Sequence, residues 1–206
     1  MRSANIESQN EKKQSKDWFA SDPIFNSLYP APIQLVAEKH WTPLAVAVKA
    51  AAFLAISPAV KILDIGSGSG KFCLTAAHYH PDNNFYGIEQ RSSLVALCND
   101  LKEQLGLKNV SFICDNIINE DLEDYDHFYF YNSFYENIDG TQKIDYTVQY
   151  SDKLYDRYNR YLHSQLKKKP AGTRLVTYHS FGIEIPKDYE VVDTDFNDYL
   201  KFWIKV

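Results

Sequence analysis

The chain has only three cysteines in 206 residues, Cys73, Cys98 and Cys114, and no two of them form a CxxC pair. An odd, unclustered set excludes a disulfide framework and a thiolate zinc site, and it suits buried thiols in a reducing compartment. Long hydrophobic runs are missing too. The longest, Leu44 to Ile56, is interrupted by Lys49 and falls short of the roughly 20 apolar residues that span a bilayer. Met1 to Lys16 is polar and charged, without the apolar segment of a secretory signal. It is expected to be a mobile arm outside the fold, on a cytoplasmic protein with no membrane partner. Positive charge is not in excess: 22 Lys and Arg stand against 27 Asp and Glu, a net charge of −5. Such a chain is not built as a whole to attract nucleic acid, although a local basic patch stays open. Internal repeats and low-complexity linkers are absent.

What is present is a core. At 45% hydrophobic residues the chain is long enough for one domain with a buried interior, expected over residues 17–206. Thr42-Pro43 reads as a helix start, threonine as N-cap, with the alanine-rich run after it ending at Ser57-Pro58. Strands are expected at Lys61 to Asp64, Asn84 to Glu89, Val110 to Ile113, His127 to Tyr131 and Thr173 to Tyr178. Helices alternate with them from Lys71 to Tyr79, from Ser92 to Leu105 with Gly106 as a C-terminal cap, and within Tyr146 to Lys168. Glu190 to Val192 and Leu200 to Val206 have only DTDFND between them and read as a hairpin. Alternation of strand and helix argues for an α/β fold.

The most informative stretch is Val60 to Leu74, VKILDIGSGSGKFCL: an apolar strand ending in an acid, a glycine turn, then a helix start. Glycines at 66, 68 and 70 let the backbone take positive φ and bring its amides close to a ligand. A phosphate-cradling GxxxxGK[ST] loop would need glycine where Ile65 stands and a hydroxyl where Phe72 stands, so that chemistry drops out. The dinucleotide pattern GxGxxG asks for Gly or Ala where Lys71 stands, which weakens a nicotinamide or flavin cofactor. What remains is acid-x-Gly-x-Gly-x-Gly, followed about one helix later by a second apolar run ending in an acid, Phe85-Tyr86-Gly87-Ile88-Glu89.

This arrangement resembles the class I S-adenosylmethionine methyltransferases. The resemblance implies a seven-stranded, mostly parallel Rossmann-like sheet with a C-terminal antiparallel hairpin, helices on both faces, and residues 17–42 as an N-terminal helical cap. It implies that Asp64 sits near the methionine amine, that Gly66, Ser67, Gly68 and Gly70 back the methionine and ribose, and that Glu89, with Gln90 beside it, holds the ribose hydroxyls. A sulfonium cofactor without phosphate wants carboxylates and backbone dipoles more than lysines. After the third strand, Asp115 is expected at the adenine amino group, with Asn116 and Ile117 packing nearby; helix capping is the competing role. Upstream, the Thr42-Pro43 helix start would face the methionine carboxylate. The aromatic segment Trp18 to Tyr29 would form a lid over the cleft, or else pack against the sheet.

Chemistry is expected after the fourth strand, in Tyr131-Asn132-Ser133-Phe134. Amino-group methyltransferases often carry Asn-Pro-Phe or Asp-Pro-Pro-aromatic here. This chain matches in Asn132 and Phe134 and departs at Ser133. Asn132 is the expected catalytic oxygen, which would also touch the cofactor, Phe134 the aromatic wall, and Tyr135 and Glu136 substrate contacts. The implied activity is methyl transfer to an amine nitrogen. The motifs HWTP, LDIGSGSGKFC, YGIEQR and YNSFYEN look like those of a bacterial group of class I methyltransferases and distantly like non-SET histone lysine methyltransferases. A basic protein or small amine is therefore the expected acceptor, with RNA or DNA less favoured and a non-catalytic cofactor-binding protein as the remaining alternative. Arg91 flanks the adenosine or begins a helix. His78 and His80, two apart near a helix end, face different ways and do not form a metal site. Lys167 to Lys169 complements a helix C-terminus, with a nucleic-acid contact as the lesser alternative, and the tyrosines at 146, 150, 155, 158 and 161 read as packing and amphipathic surface ahead of base-stacking platforms.

Overall fold

The computed structural model describes residues 17–206; the expected arm, 1–16, lies outside them. Seven strands form one sheet in the order β3-β2-β1-β4-β5-β7-β6, with β1 Lys61–Ile65, β2 Asn84–Glu89, β3 Val110–Cys114, β4 His127–Phe130, β5 Arg174–Tyr178, β6 Tyr189–Asp195 and β7 Leu200–Lys205. The first five run parallel, whereas β7 pairs antiparallel with both β5 and β6. The C-terminal hairpin thus inserts its second strand beside β5 and leaves β6 at the edge. Exposed Glu190 and Asp193 and a bulge between Val191 and Asp193 blunt that edge.

Alternation along the strands divides the core in two. On one face Ile62, Phe85, Val110, Tyr129 and Val176 pack under three helices, α4 Leu44–Leu54, α5 Lys71–Tyr79 and α6 Ser92–Leu105. On the other, Leu63, Ile65, Phe128, Phe130 and Leu175 pack under α7 Asp152–Lys168 through Tyr158, Leu162 and Leu166. All four β4 residues are buried, as expected of a strand covered on both faces. Helix ends follow local chemistry: Gly106 closes α6 in a left-handed conformation, and the Ser151 side chain accepts from the Leu154 amide at the start of α7. No described helix is long and apolar enough to cross a membrane.

Three local expectations need correction. Thr42 does not cap α4. Pro43 takes the N-cap position without a side-chain bond, the Leu44 amide donates to Asp22 Oδ1 at 3.0 Å, and the Thr42 hydroxyl meets Tyr129 Oη at 3.0 Å. Trp18 to Tyr29 is no lid. Its short helix α1 (Asp22–Asn26) and the following α2 (Ala31–Gln34) and α3 (Ala37–His40) precede α4, and Phe19, Phe25 and Tyr29 are buried in the α4–α6 core. There the Phe19 ring stacks on His78 at 3.9 Å. Aromatic area won over reach: such rings gain more by burial than by hanging over a wet cleft. Finally, Cys73 and Cys98 are buried but Cys114, at the end of β3, is exposed.

Candidate active site

The sheet order reverses between β1 and β4, and crevices form beyond the carboxyl ends of strands at such a reversal. A cavity of about 860 Å³ opens there, within the range of small-molecule sites.

Its floor is the turn from β1 to α5. Gly68, at φ +52°, has open space where a Cβ would be, so its bare backbone faces the cavity. The turn is held from three sides. The Ser67 amide donates to Ile88 O at 2.9 Å, the Gly68 amide to Glu89 Oε2 at 3.1 Å, and Tyr29 Oη to Ser69 O at 2.8 Å. Lys71, buried at the start of α5, donates to Asn26 Oδ1 at 2.8 Å and pairs with Asp22, which ties the N-terminal segment to the same turn. Asp64 leaves β1 on the α5 side, almost fully buried, and among the described residues receives only a thiol contact from Cys73 at 3.6 Å. Burial pushes its carboxyl up to about 8; the Cys73 contact opposes that and neighbouring Glu89 adds to it.

Glu89 and Arg91 form one wall. Glu89 Oε1 accepts from the Arg91 amide at 3.0 Å and from Nη1 at 3.1 Å. The same guanidinium reaches Glu136 Oε2 at 2.8 Å, Asp145 Oδ1 at 3.2 Å and Tyr150 Oη at 2.6 Å. Burial opposes its charge, but Glu89 and Glu136 outweigh burial and hold it above its ordinary value. Arg91 lines the cavity and stands at the N-cap of α6, so it is more than a helix start. It fastens residues 138–151, which contain no helix or strand, against the second acid. Glu136, an expected substrate contact, is spent on this clasp and on the Ile144 amide.

Beyond β3, Asp115 and Ile117 line the cavity. Asp115 Oδ1 is used locally, accepting from Asn119 Nδ2 at 2.7 Å. Asn116 stands outside in an adjoining shallow depression, where its oxygen caps a short turn at the Ile118 amide and its nitrogen donates to Gln90 and Tyr158. Capping is the role it fills here. Gly70 also stays outside the cavity; it is the left-handed N-cap of α5, and a Cβ there would lie 2.7 Å from Cys98 Sγ. The other expected residues, Thr42, Asp64, Gly66, Ser67, Gly68, Glu89, Gln90, Ile117, Asn132 and Phe134, do meet around the cavity.

The far half of the cavity is built from the ends of β4 and β5 and from the β6–β7 turn. Asn132 follows β4 at φ +39°, and its side-chain amide has no hydrogen-bond partner among the described residues. Ser133, where relatives of this motif carry proline, fixes the turn differently: its hydroxyl donates to the Ile65 carbonyl. Phe134 is mostly core, packed at 4.9 Å on Phe130 and 5.4 Å on Tyr158. Among the described residues, Asn137 Oδ1 and Ser67 Oγ are buried at the cavity wall without a partner. At the end of β5, His179 also takes positive φ, stacks on Tyr199 at 4.3 Å and meets Tyr178 edge-on at 4.3 Å. Burial holds its ring below the ordinary histidine value. Exposed Tyr135, Phe181 and Tyr199 all line the opening. His179, Phe181, Tyr199 and Asn137 were not read from the sequence; the only signal was a His and a tyrosine at the ends of two separate strand runs.

Comparison with known proteins decides the family. The protein-family model described as a methyltransferase domain matches residues 56–166, more than half of the chain. The chain belongs to this family. It is a class I S-adenosylmethionine-dependent methyltransferase. Among curated relatives, the tRNA (guanine-N(7)-)-methyltransferase of Prochlorococcus marinus (strain NATL1A) is 42% identical over 129 residues, 63% of this chain and 52% of that protein. The protein of the same name from Synechococcus sp. (strain JA-3-3Ab) is 53% identical over 55 residues, 27% of this chain and 23% of that one. The methyltransferase therefore spans about half or less of the length of these relatives. Among solved structures, an RNA methyltransferase from Salinibacter ruber in complex with S-adenosyl-L-homocysteine superposes with a TM-score of 0.56 at 19% identity, covering 80% of this chain and 92% of that one. Precorrin-6y C5,15-methyltransferase from Geobacter metallireducens GS-15 gives 0.54 at 15% identity, covering 82% and 90%. Two such different acceptors on one architecture leave the fold as what is shared.

Proposed function

We propose that this methyltransferase modifies a nitrogen of a nucleobase in RNA, and that its cofactor lies on the Gly66–Gly68 turn. The cofactor half suits the cofactor. Gly68 offers bare backbone, and among the described residues Ser67 Oγ is a buried hydroxyl without a partner and Asp64 a buried carboxyl without a cation. Asp64 would hold the methionine ammonium, Glu89 the ribose hydroxyls, Asp115 and Ile117 the adenine. Thr42, already bonded to Tyr129, would contribute packing near the methionine end. Bound there, S-adenosylmethionine supplies an electrophilic methyl group.

The Asp64 role carries a pH signature. With its carboxyl at about 8 in the ligand-free protein, Asp64 is mostly protonated at neutral pH and must ionise to pair with an ammonium. The ligand's own amine titrates near an α-amino value of about 8. Affinity is therefore expected to rise with pH toward about 8 and to fall above it, with a proton released on binding at about pH 6.5. Because the folded-state value lies above the ordinary aspartate value of 3.8, the ligand-free protein should also lose stability as pH rises between the two. Calorimetry in buffers of different ionisation heat measures the proton; in Asp64→Asn the release should vanish. A release that persists in the variant would remove Asp64 from this role.

The observation that carries the acceptor reading is the aromatic mouth. Tyr135, Phe181 and Tyr199 are 40%, 63% and 54% exposed, and a planar base can stack on such rings. The names of the curated relatives point the same way, away from the protein amine that the Asn132 motif alone suggested. Asn132 would orient the acceptor nitrogen for in-line attack, and neutral His179 can take up a proton released from it. The test is transfer of labelled methyl groups to cellular RNA and to cellular protein, followed by digestion to nucleosides or amino acids. Label in a nucleoside is expected. Tyr199→Ala should lower kcat/KM for RNA roughly ten- to hundredfold with cofactor affinity unchanged. Label in protein alone would overturn the reading.

A further inference from the structure

Net charge hides a segregated surface on α7. Lys153, Arg157, Arg160, Lys167 and Lys168 are all exposed. At about 100° per residue they fall within an arc of about 100°, opposite the buried ridge of Tyr158, Leu162 and Leu166. Lys153 and Lys167 are about 21 Å apart along the axis. None of the five forms an ion pair among the described residues, although the protein pairs Lys49, Lys71, Arg91 and Lys205 with acids. Two acids of the helix, Asp152 and Asp156, lie at the border of the arc. The acidic turn from Glu120 to Asp124 flanks the Tyr161 side, where Tyr161 Oη donates to Glu120 O, and Asp188 lies near Lys167. The positive strip is thus narrow and bounded by negative charge.

The N-terminal end of α7, where the strip begins at Lys153, borders the site. Leu154 and Tyr158, on the first turns of α7, line the shallow depression beside the cavity. Gln90, Asp115, Val148, Gln149 and Tyr158 line both hollows. We infer that the exposed face of α7 docks the phosphodiester backbone of the RNA whose base enters the aromatic mouth, an inference that rests on the RNA reading above. A line of unpaired cations fits a polyanion, and it gives an overall acidic protein the local attraction that its net charge denies.

The test is fluorescence anisotropy with a labelled stem-loop RNA, without cofactor, over a salt series. Each phosphate contact on a single strand contributes about 0.7 to the log–log salt slope. The triple variant Arg157→Gln, Arg160→Gln, Lys167→Gln should therefore have a slope shallower by about 2 and an RNA affinity lower by tenfold or more at low salt. Its unfolding midpoint and S-adenosylmethionine affinity should stay as in wild type. A triple variant that binds RNA like wild type, with the same slope, overturns the dock while leaving base methylation standing if wild type labels RNA. Wild type that binds anionic vesicles or an acidic peptide but no RNA overturns the dock in favour of those partners. Absence of label in RNA is the separate result that removes the underlying reading.

Discussion

Replacing Arg91 with alanine is expected to cost about 3–5 kcal/mol of folding stability, because removing one partner of a buried ion pair strands the others. Its side chain is 5% exposed and bonds Glu89, Glu136 and Asp145. Without it, the buried carboxylates of Glu89 and Glu136 lose the cation they share, and among the described residues Tyr150 Oη keeps only its bond to the Asp145 carbonyl. The loss should be local as well as global. Residues 138–151 have no ladder of their own, so the clasp supplies much of what holds them on the cavity wall. Lys143 lies within them, its ammonium now donating to Ile138 O and Thr141 Oγ1, each at 2.7 Å. Trypsin should cut there faster in Arg91→Ala than in wild type, at denaturant concentrations where both remain folded. Urea unfolding gives the global figure. Arg91→Met fills similar volume without charge; equal losses in the two variants would locate the effect in the charge network. An unchanged midpoint in either would mean that the network adds nothing net.

The elements that sequence placed to the residue are those set by local chemistry. Lys71–Tyr79, Asn84–Glu89 and Ser92–Leu105 each have a glycine turn, an acid or a terminal glycine at their ends, and alternation of period 2 with period 3.6 gave the α/β order. The methyltransferase family was legible for the same reason, since Asp64 to Glu89 is one contiguous βαβ unit whose loop chemistry is local. Where competition between distant partners decides, the sequence was silent. Thr42 looks like a cap by its neighbours, yet its hydroxyl is taken by Tyr129, 87 positions on. Glu136 reads as a substrate contact by motif, yet Arg91, 45 positions back, claims it.

The acceptor half was the least legible. His179 and Tyr199 stack only because β7 inserts next to β5 and carries Tyr199 beside the end of that strand. A hairpin can be read from two apolar runs, but not which of its strands pairs inward. The short N-terminal helices posed a different problem. Trp18 to Tyr29 is aromatic enough either to cover a cleft or to fill a core, and only the presence of an uncovered α5 face, with His78 offered to Phe19, decides for the core. Ser133 is the instructive departure. A serine lacks the fixed φ of proline, yet its hydroxyl ties the end of β4 to the Ile65 carbonyl. Position 133 thus keeps the turn fixed by a hydrogen bond rather than by a ring.

That tie makes Gly66 the position least tolerant of a side chain. Gly66 has φ +74°, and a Cβ there would overlap Ser133 Cβ and lie 2.7 Å from its Oγ. Gly66→Ala therefore meets two penalties: about 1–2 kcal/mol for an L-residue in left-handed backbone and about 1–3 kcal/mol for overpacking. Ser133 cannot swing away without giving up its bond to Ile65, so the ends of β1 and β4 must part. These are the strands between which the cavity opens, so cofactor affinity should fall together with the urea midpoint. The double variant Gly66→Ala, Ser133→Gly separates the terms. Removing the serine side chain relieves the contact but not the backbone strain, so the double variant should recover the packing share alone and show a coupling of about 1–3 kcal/mol. Full recovery would mean that backbone conformation costs nothing here. No recovery would mean that the alanine is resisted by its own φ and not by Ser133. Intermediate recovery, with cofactor binding returning in parallel, is the result that ties the glycine turn, the serine that replaced proline and the cavity floor into one mechanical unit.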